Sequence, residues 1–262
     1  MPKPFLSYDQ QIEKLRDEKG LRIDDEIFAI ENLKRISYFA LIGGYKDLFK
    51  DSATSKYRAG TAFEDVVELY KFDERLREII LKYLLQVERN MRSLISYYFC
   101  ELHGEDQSAY LDVQNYRYAE HQVLVESLVG KLKELATDNN SQYRYIRHHI
   151  KHHSNVPLWV LSCTLTFGTV SKIYSLLPQS LQATISKNYL GIRENHLQKM
   201  LSVLSKYRNV CAHNERLFSY TTKDSIPDLS VHNQLGISKN KGLVAMLLPR
   251  ATIVEPRRSK SS

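Results

Sequence analysis

Residues 73–98 read DERLREIILKYLLQVERNMRSLISYY, and this stretch decides the fold. Leu76, Ile79, Ile80, Tyr83, Leu84, Val87, Met91, Leu94, Ile95 and Tyr98 recur at intervals of three and four, the period of one helix face. The pattern runs to a stop at Gly104. From Asp73 to His103, at 1.5 Å per residue, it predicts a helix about 45 Å long that forms the backbone of a core. Just upstream, Thr61-x-x-Glu64 has the spacing of a capping box, and Phe63, Val66, Val67 and Tyr70 carry the same face. A helix is therefore expected to open at Thr61.

The flanking sequence has the same character. Residues 7–50 read as two or three short helices, with Ser7 and Asp9 as N-caps, a break at Gly20, and Ile27, Ile30, Leu33 and Ile36 in helical period up to Gly43-Gly44. Val123, Leu124, Leu128, Leu132 and Leu135 mark a helix from Glu120 to Ala136. Pro157 is expected to open a helix through Leu177, which Pro178 ends. A short helix near residues 179–189 follows, then a long one capped by Asn195 and carrying Leu197, Met200, Leu201 and Leu204. There is no internal repeat, no strand alternation and no glycine-rich phosphate loop. The expectation is an all-α bundle: an N-terminal helical extension (1–60) packed on a helical core (61–220), then a segment (221–262) that is partly irregular and ends in a basic tail.

With 262 residues the chain can bury a sizeable core. Its 43% hydrophobic and 26% charged residues, with only 10 Gly and 7 Pro, exclude wholesale disorder, collagen-like sequence and a turn-rich β domain. Lys and Arg total 37 against 30 Asp and Glu, a net +7, and with 17 Tyr and 9 Phe this leans toward an anionic partner such as nucleic acid. Cys100, Cys163 and Cys211 are scattered and lack Cys-x-x-Cys spacing, which fits a reducing, cytoplasmic setting. No stretch approaches the roughly 18 apolar residues of a membrane span, so no membrane association is expected. No cofactor is expected either.

The last long helix contains an anomaly. With Leu197 at zero and 100° per residue, Arg208 falls in the middle of the stripe formed by Leu197, Leu201 and Leu204. A guanidinium there needs an anion, either a carboxylate such as Glu88 or a phosphate of a ligand. His213 lies five residues on, about 140° around the helix, with Asn209 one turn before it. The three could meet one ligand only beside a second helix or subunit, or where the helix ends or bends. An imidazole that moves a proton and a guanidinium that steadies a phosphate suit RNA cleavage without metal. One histidine per chain is one group short of an acid and a base, which a twofold pair of chains would supply. The bare Arg-x4-His spacing occurs three times, also as Arg144 with His149 and Arg147 with His152, so spacing alone selects nothing. On the residues alone, an Arg–Glu pair with a satisfied histidine stays open.

Arg208-Asn209-Val210-Cys211-Ala212-His213-Asn214-Glu215-Arg216-Leu217 resembles the RNxxAHxxRL signature of the Abi-like abortive-infection family, the AbiD/AbiF group, within the HEPN superfamily of all-helical ribonucleases. Residues 36–45, ISYFALIGGY, resemble its YYxLxGY segment, and residues 69–77, LYKFDERLR, its LYxFDxxLR. Val87–Ser93 is similar to its IExxxRS helix, and Pro157–Val160 with Thr166–Ser171 to its PLWV…FGxxS. These matches span roughly residues 10–220. The resemblance implies a HEPN-like bundle and a metal-independent endoribonuclease of phage defence or toxin–antitoxin type, usually a homodimer with a composite site. Position by position it implies Arg208 and His213 as catalytic and Asn209 as supporting, with Glu88 and Arg92 bracing the cleft. It also implies products ending in a 2′,3′-cyclic phosphate and a 5′-hydroxyl, and an antitoxin such as a structured non-coding RNA. Some relatives of this superfamily only bind RNA, so a catalytically silent RNA-binding or assembly module is the rival reading. The chain departs from the family at Cys163, where a polar residue is expected, and in the weakly patterned Lys239–Ser262.

Residues 144–153, RYIRHHIKHH, form the densest basic stretch. As a helix it offers Arg144, Arg147, His148, Lys151 and His152 for RNA backbone contact, with Tyr143 and Tyr145 as stacking surfaces; a solvated basic face is the plainer alternative. The His148/His152 and His149/His153 pairs have zinc spacing, but no nearby Cys or acidic residue completes a site, and no metal is assigned. Trp159 and Phe167 are expected as core anchors, Gly168 at a close helix crossing, and Cys211 as packing rather than a nucleophile.

Overall fold

In the computed structural model, residues 4–189 and 191–224 are described, and they are helical with no strand among them. Residues 225–262, most of the expected C-terminal segment and its basic tail, lie outside the described residues. The chain divides into two compact units, one of residues 4–80 with Val210–Ser219, the other of Leu81–Asn209 with residues 220–224.

The first unit opens with α1 (Tyr8–Glu13), where Ser7 and Gln10 form a full capping box. One wider π-helical turn, Lys14–Glu18, follows. In α2 (Glu26–Ile36) the Asp25 carboxylate accepts from the Phe28 N–H at 2.9 Å. A second π turn covers Phe39–Gly43. The core of this unit gathers Leu15, Leu33, Leu41, Tyr45, Phe63, Val66 and Val67.

The decisive stretch is part of α3 (Phe63–His103), one continuous helix of 41 residues. Its cap differs from the expected Thr61/Glu64 box: the carboxylate that reaches back is Asp65, accepting from the Ala62 N–H at 2.8 Å. Thr61 is instead occupied by its backbone, whose carbonyl accepts from the Arg22 N–H at 3.0 Å. The buried line of the helix also departs from the apolar pattern. Ile79 is exposed, whereas Asp73, Arg77 and Glu88 are buried. Two charged residues one turn apart can share a face with apolar neighbours when they neutralise each other.

The second unit holds α4 (Gln107–Leu111), α5 (Tyr118–Thr137), α6 (Arg144–His153), α7 (Leu158–Leu161), α8 (Phe167–Leu176), α9 (Gln179–Ser186) and α10 (Glu194–Ala212) as far as Asn209, the last three residues of α10 belonging to the first unit. Leu84, Met91, Ile95, Leu128, Leu132, Leu161, Val170, Tyr174, Leu197 and Leu201 are buried in it. The single helix expected from Pro157 to Leu177 is two, because Thr166 adopts an extended backbone and caps α8, its hydroxyl accepting from the Thr169 N–H at 3.3 Å. Thr166→Ala is expected to cost about 1 kcal/mol, read as a lower urea midpoint at unchanged slope. Asn195 lies inside the first turn of α10 rather than at its cap.

Phe167 is the buried anchor expected, but Trp159 is 48% exposed, and a Cβ on Gly168 would meet nothing nearer than Thr166 Oγ1 at 3.9 Å. In α7 a single turn suffices to bury Leu158 and Leu161, which leaves Trp159 on the outer side. Among the described residues no helix is long and apolar enough to cross a membrane.

Candidate functional site

In the second unit, Arg208 lies near the end of α10 and is 26% exposed. Its Nε stands 3.3 Å from Glu88 Oε2, the carboxylate expected from the sequence. Glu88, only 2% exposed, is also held by Arg92, one turn further along α3, through its other oxygen. Arg92, 25% exposed, donates in addition to the Leu165 carbonyl, which fixes it across the gap before α8. Two guanidiniums thus share one buried carboxylate. Among the described residues one positive charge is left over at a surface that water reaches, the condition for holding a phosphate. Asn209 is exposed beside Arg208.

In the first unit, α10 ends at Ala212 and His213 follows as the exposed C-cap residue. Asn214 has φ +55°, and the Glu215 N–H returns to the Val210 carbonyl at 3.0 Å. This is a Schellman-type stop, with asparagine in the left-handed position that favours glycine.

The turn after His213 is latched from below. Asp73, fully buried, accepts from the Tyr45 hydroxyl (2.7 Å), Arg77 Nη1 (2.8 Å), the Leu217 N–H (2.9 Å) and the Phe218 N–H (2.8 Å). Arg77 Nη1 also lies 3.4 Å from the Glu215 carbonyl, and Arg216 donates to the Gly44 carbonyl at 2.7 Å. Burial, reinforced by the bond to Asp73, pushes the Tyr45 phenol upward, so it stays a donor. Cys211 is buried and its thiol is pushed up to about 11, chiefly by burial, which keeps it a packing group. Tyr45, Asp73 and Arg77 thus join the stretches 36–45 and 69–77 to the segment that follows His213.

The model of the Abi-like protein family matches residues 31–219. The chain belongs to that family. No curated protein and no solved structure matches it.

This Abi-like chain, of abortive-infection type, carries its basic stretch as α6, anchored by the buried Ile146. Arg144, His148, Lys151 and His152 are exposed; Arg147 is exposed as well but donates to the Ser141 carbonyl. The ring centroids of His148 and His152 lie 4.7 Å apart, and those of His149 and His153 5.0 Å. Among the described residues no group of three or more His, Cys, Asp or Glu is arranged to hold a metal ion. Tyr143 and Tyr145 pack against each other at 5.5 Å.

Sequence reasoning missed two features of the Abi-like chain. One is the Asp73–Arg77–Tyr45 latch; its signal was the i,i+4 acid–base pair inside an otherwise apolar face. The other is a cleft of 730 Å³ between α8 and α10, lined among the described residues by Lys172, Lys199, Lys206 and Lys223 against the one carboxylate of Asp224. Those lysines are scattered along the sequence, and no pattern in it brings them together.

Proposed function

We propose that the chain is a metal-independent endoribonuclease effector of abortive-infection phage defence, of HEPN type, acting as a homodimer. The observation that carries this reading is the shared carboxylate. Glu88 holds Arg208 in place yet cannot neutralise both Arg208 and Arg92. In this reading Arg208 binds a non-bridging phosphate oxygen and Asn209 supports it. His213 serves as proton carrier, and its counterpart in a second copy supplies the other of the acid–base pair. The 2′-oxygen, losing its proton to one imidazole, bonds to phosphorus. The bond from phosphorus to the 5′-oxygen breaks, and that oxygen takes a proton from the other imidazole. A 2′,3′-cyclic phosphate and a 5′-hydroxyl result.

The exposed cations of α6 and the lysine cleft of the second unit support RNA backbone contact. They equally suit the rival reading, a silent RNA-binding module, because they account for binding without Arg208 or His213. A nuclease acting in its own cell needs restraint, and an antitoxin, here a structured non-coding RNA, fits the net charge of +7.

The test is to express wild type and Arg208→Gln and to sequence RNA ends that carry a 5′-hydroxyl. Recurrent new ends with wild type, reduced at least about a hundredfold in the variant, are expected. Equal end profiles from the two would leave only the binding module.

A further inference from the structure

A second cationic cavity lies in the first unit, on elements the ribonuclease reading does not use. It measures 600 Å³, within the usual range of small-molecule sites, and is lined by Lys14, Lys19, Lys46 and Lys50 together with aromatic rings. All four lysines are half-buried, and none forms an ion pair among the described residues. Burial, with the charges of Lys46 and Lys19, holds the Lys50 ammonium below its ordinary range, and Asp47 offsets only part of this. That carboxylate is largely exposed and stands 3.9 Å from Arg216. Four like charges that Asp47 offsets only in part repel one another, and an anion of several charges would relieve the repulsion.

The remaining walls are of another kind. Phe5 and Phe39 border the cavity 92% and 85% exposed, far more than a phenyl ring ordinarily is. Tyr57, 6% exposed, forms part of the wall, and its hydroxyl is buried without a hydrogen-bond partner among the described residues. Converging cations, a donor left over and uncovered aromatic rings call for a ligand that is polyanionic at one end and flat at the other. A nucleic-acid strand fits less well, because its charges need cations set out along a track rather than lining one cavity.

We propose that this cavity binds a nucleoside di- or triphosphate, the lysines taking the phosphates and the Phe39 or Phe5 ring stacking on the base. Titration calorimetry of the full chain with ATP, GTP, inorganic tripolyphosphate and a 2′-O-methyl RNA 12-mer tests it. One or both nucleotides are expected to bind. Lys46→Gln/Lys50→Gln should weaken that binding at least tenfold, with an independent pair, Lys14→Gln/Lys19→Gln, acting in the same direction. Phe39→Ala/Phe5→Ala should weaken nucleotide about tenfold and leave tripolyphosphate within twofold. The proposal is overturned if no nucleotide binds, if tripolyphosphate binds as tightly as the nucleotides and the ring variant changes nothing, or if the lysine variants lose affinity only for the RNA. The His213→Ala chain should bind nucleotide like wild type, so failure of the ribonuclease reading would not touch this one.

Discussion

His213→Ala is expected to lower RNA cleavage by about a thousandfold, since a positioned proton carrier contributes roughly 10²–10⁴ in rate. The side chain is exposed at the end of α10, and the turn behind it is held by Asp73 rather than by the imidazole. Stability should therefore change by no more than about 0.5 kcal/mol. A single-turnover assay on a labelled RNA, with thermal melts of both proteins, separates the two quantities. Affinity for a 2′-O-methyl RNA should hold within about threefold, because the proposed backbone contacts are made by cations elsewhere. A variant that cleaves at the wild-type rate removes His213 from the chemistry. One that melts early means that the ring is structural.

The largest loss of stability is expected from Asp73→Asn, about 3–5 kcal/mol, because it leaves the buried Arg77 without its counter-charge. Four donors converge on this carboxylate, two of them backbone N–H groups of the turn after His213. Asparagine keeps one acceptor oxygen but presents an amide where Tyr45, Arg77 or Leu217 donates, so at least one donor is stranded. A fall of the melting temperature by about 6–12 °C should follow. Asp73→Leu/Arg77→Met, which removes both charges together, should recover at least about 2 kcal/mol over Asp73→Leu alone in a double-mutant cycle. Additivity of the two changes would mean that the pair is not coupled. Cleavage by the folded fraction of Asp73→Asn at low temperature should also fall, since the latch fixes the residues that follow His213.

The helical class and the place of most helices could be read from the residues alone, since a period of 3.6 apolar residues needs no tertiary information. So could the need of Arg208 for an anion and the candidacy of Glu88 as that anion, because an arginine on an apolar stripe is anomalous wherever the helix packs. Boundaries were less legible. The cap of α3 moved by one residue to Asp65, and the helix expected from Pro157 broke at Thr166, because a cap is chosen by which oxygen reaches an N–H and several candidates stood within a turn of each other. Trp159 read as core by its type alone, whereas a one-turn helix can bury only one side. It took the folded chain to reveal that Glu88 serves two arginines, that Asp73 and Arg77 work as a buried pair on the turn after His213, and that lysines far apart in the chain line common cavities. The reason is physical: periodicity assigns a residue to a face of its own helix, but a shared carboxylate or an uncompensated cluster of charge arises from distances between segments, which no local pattern encodes.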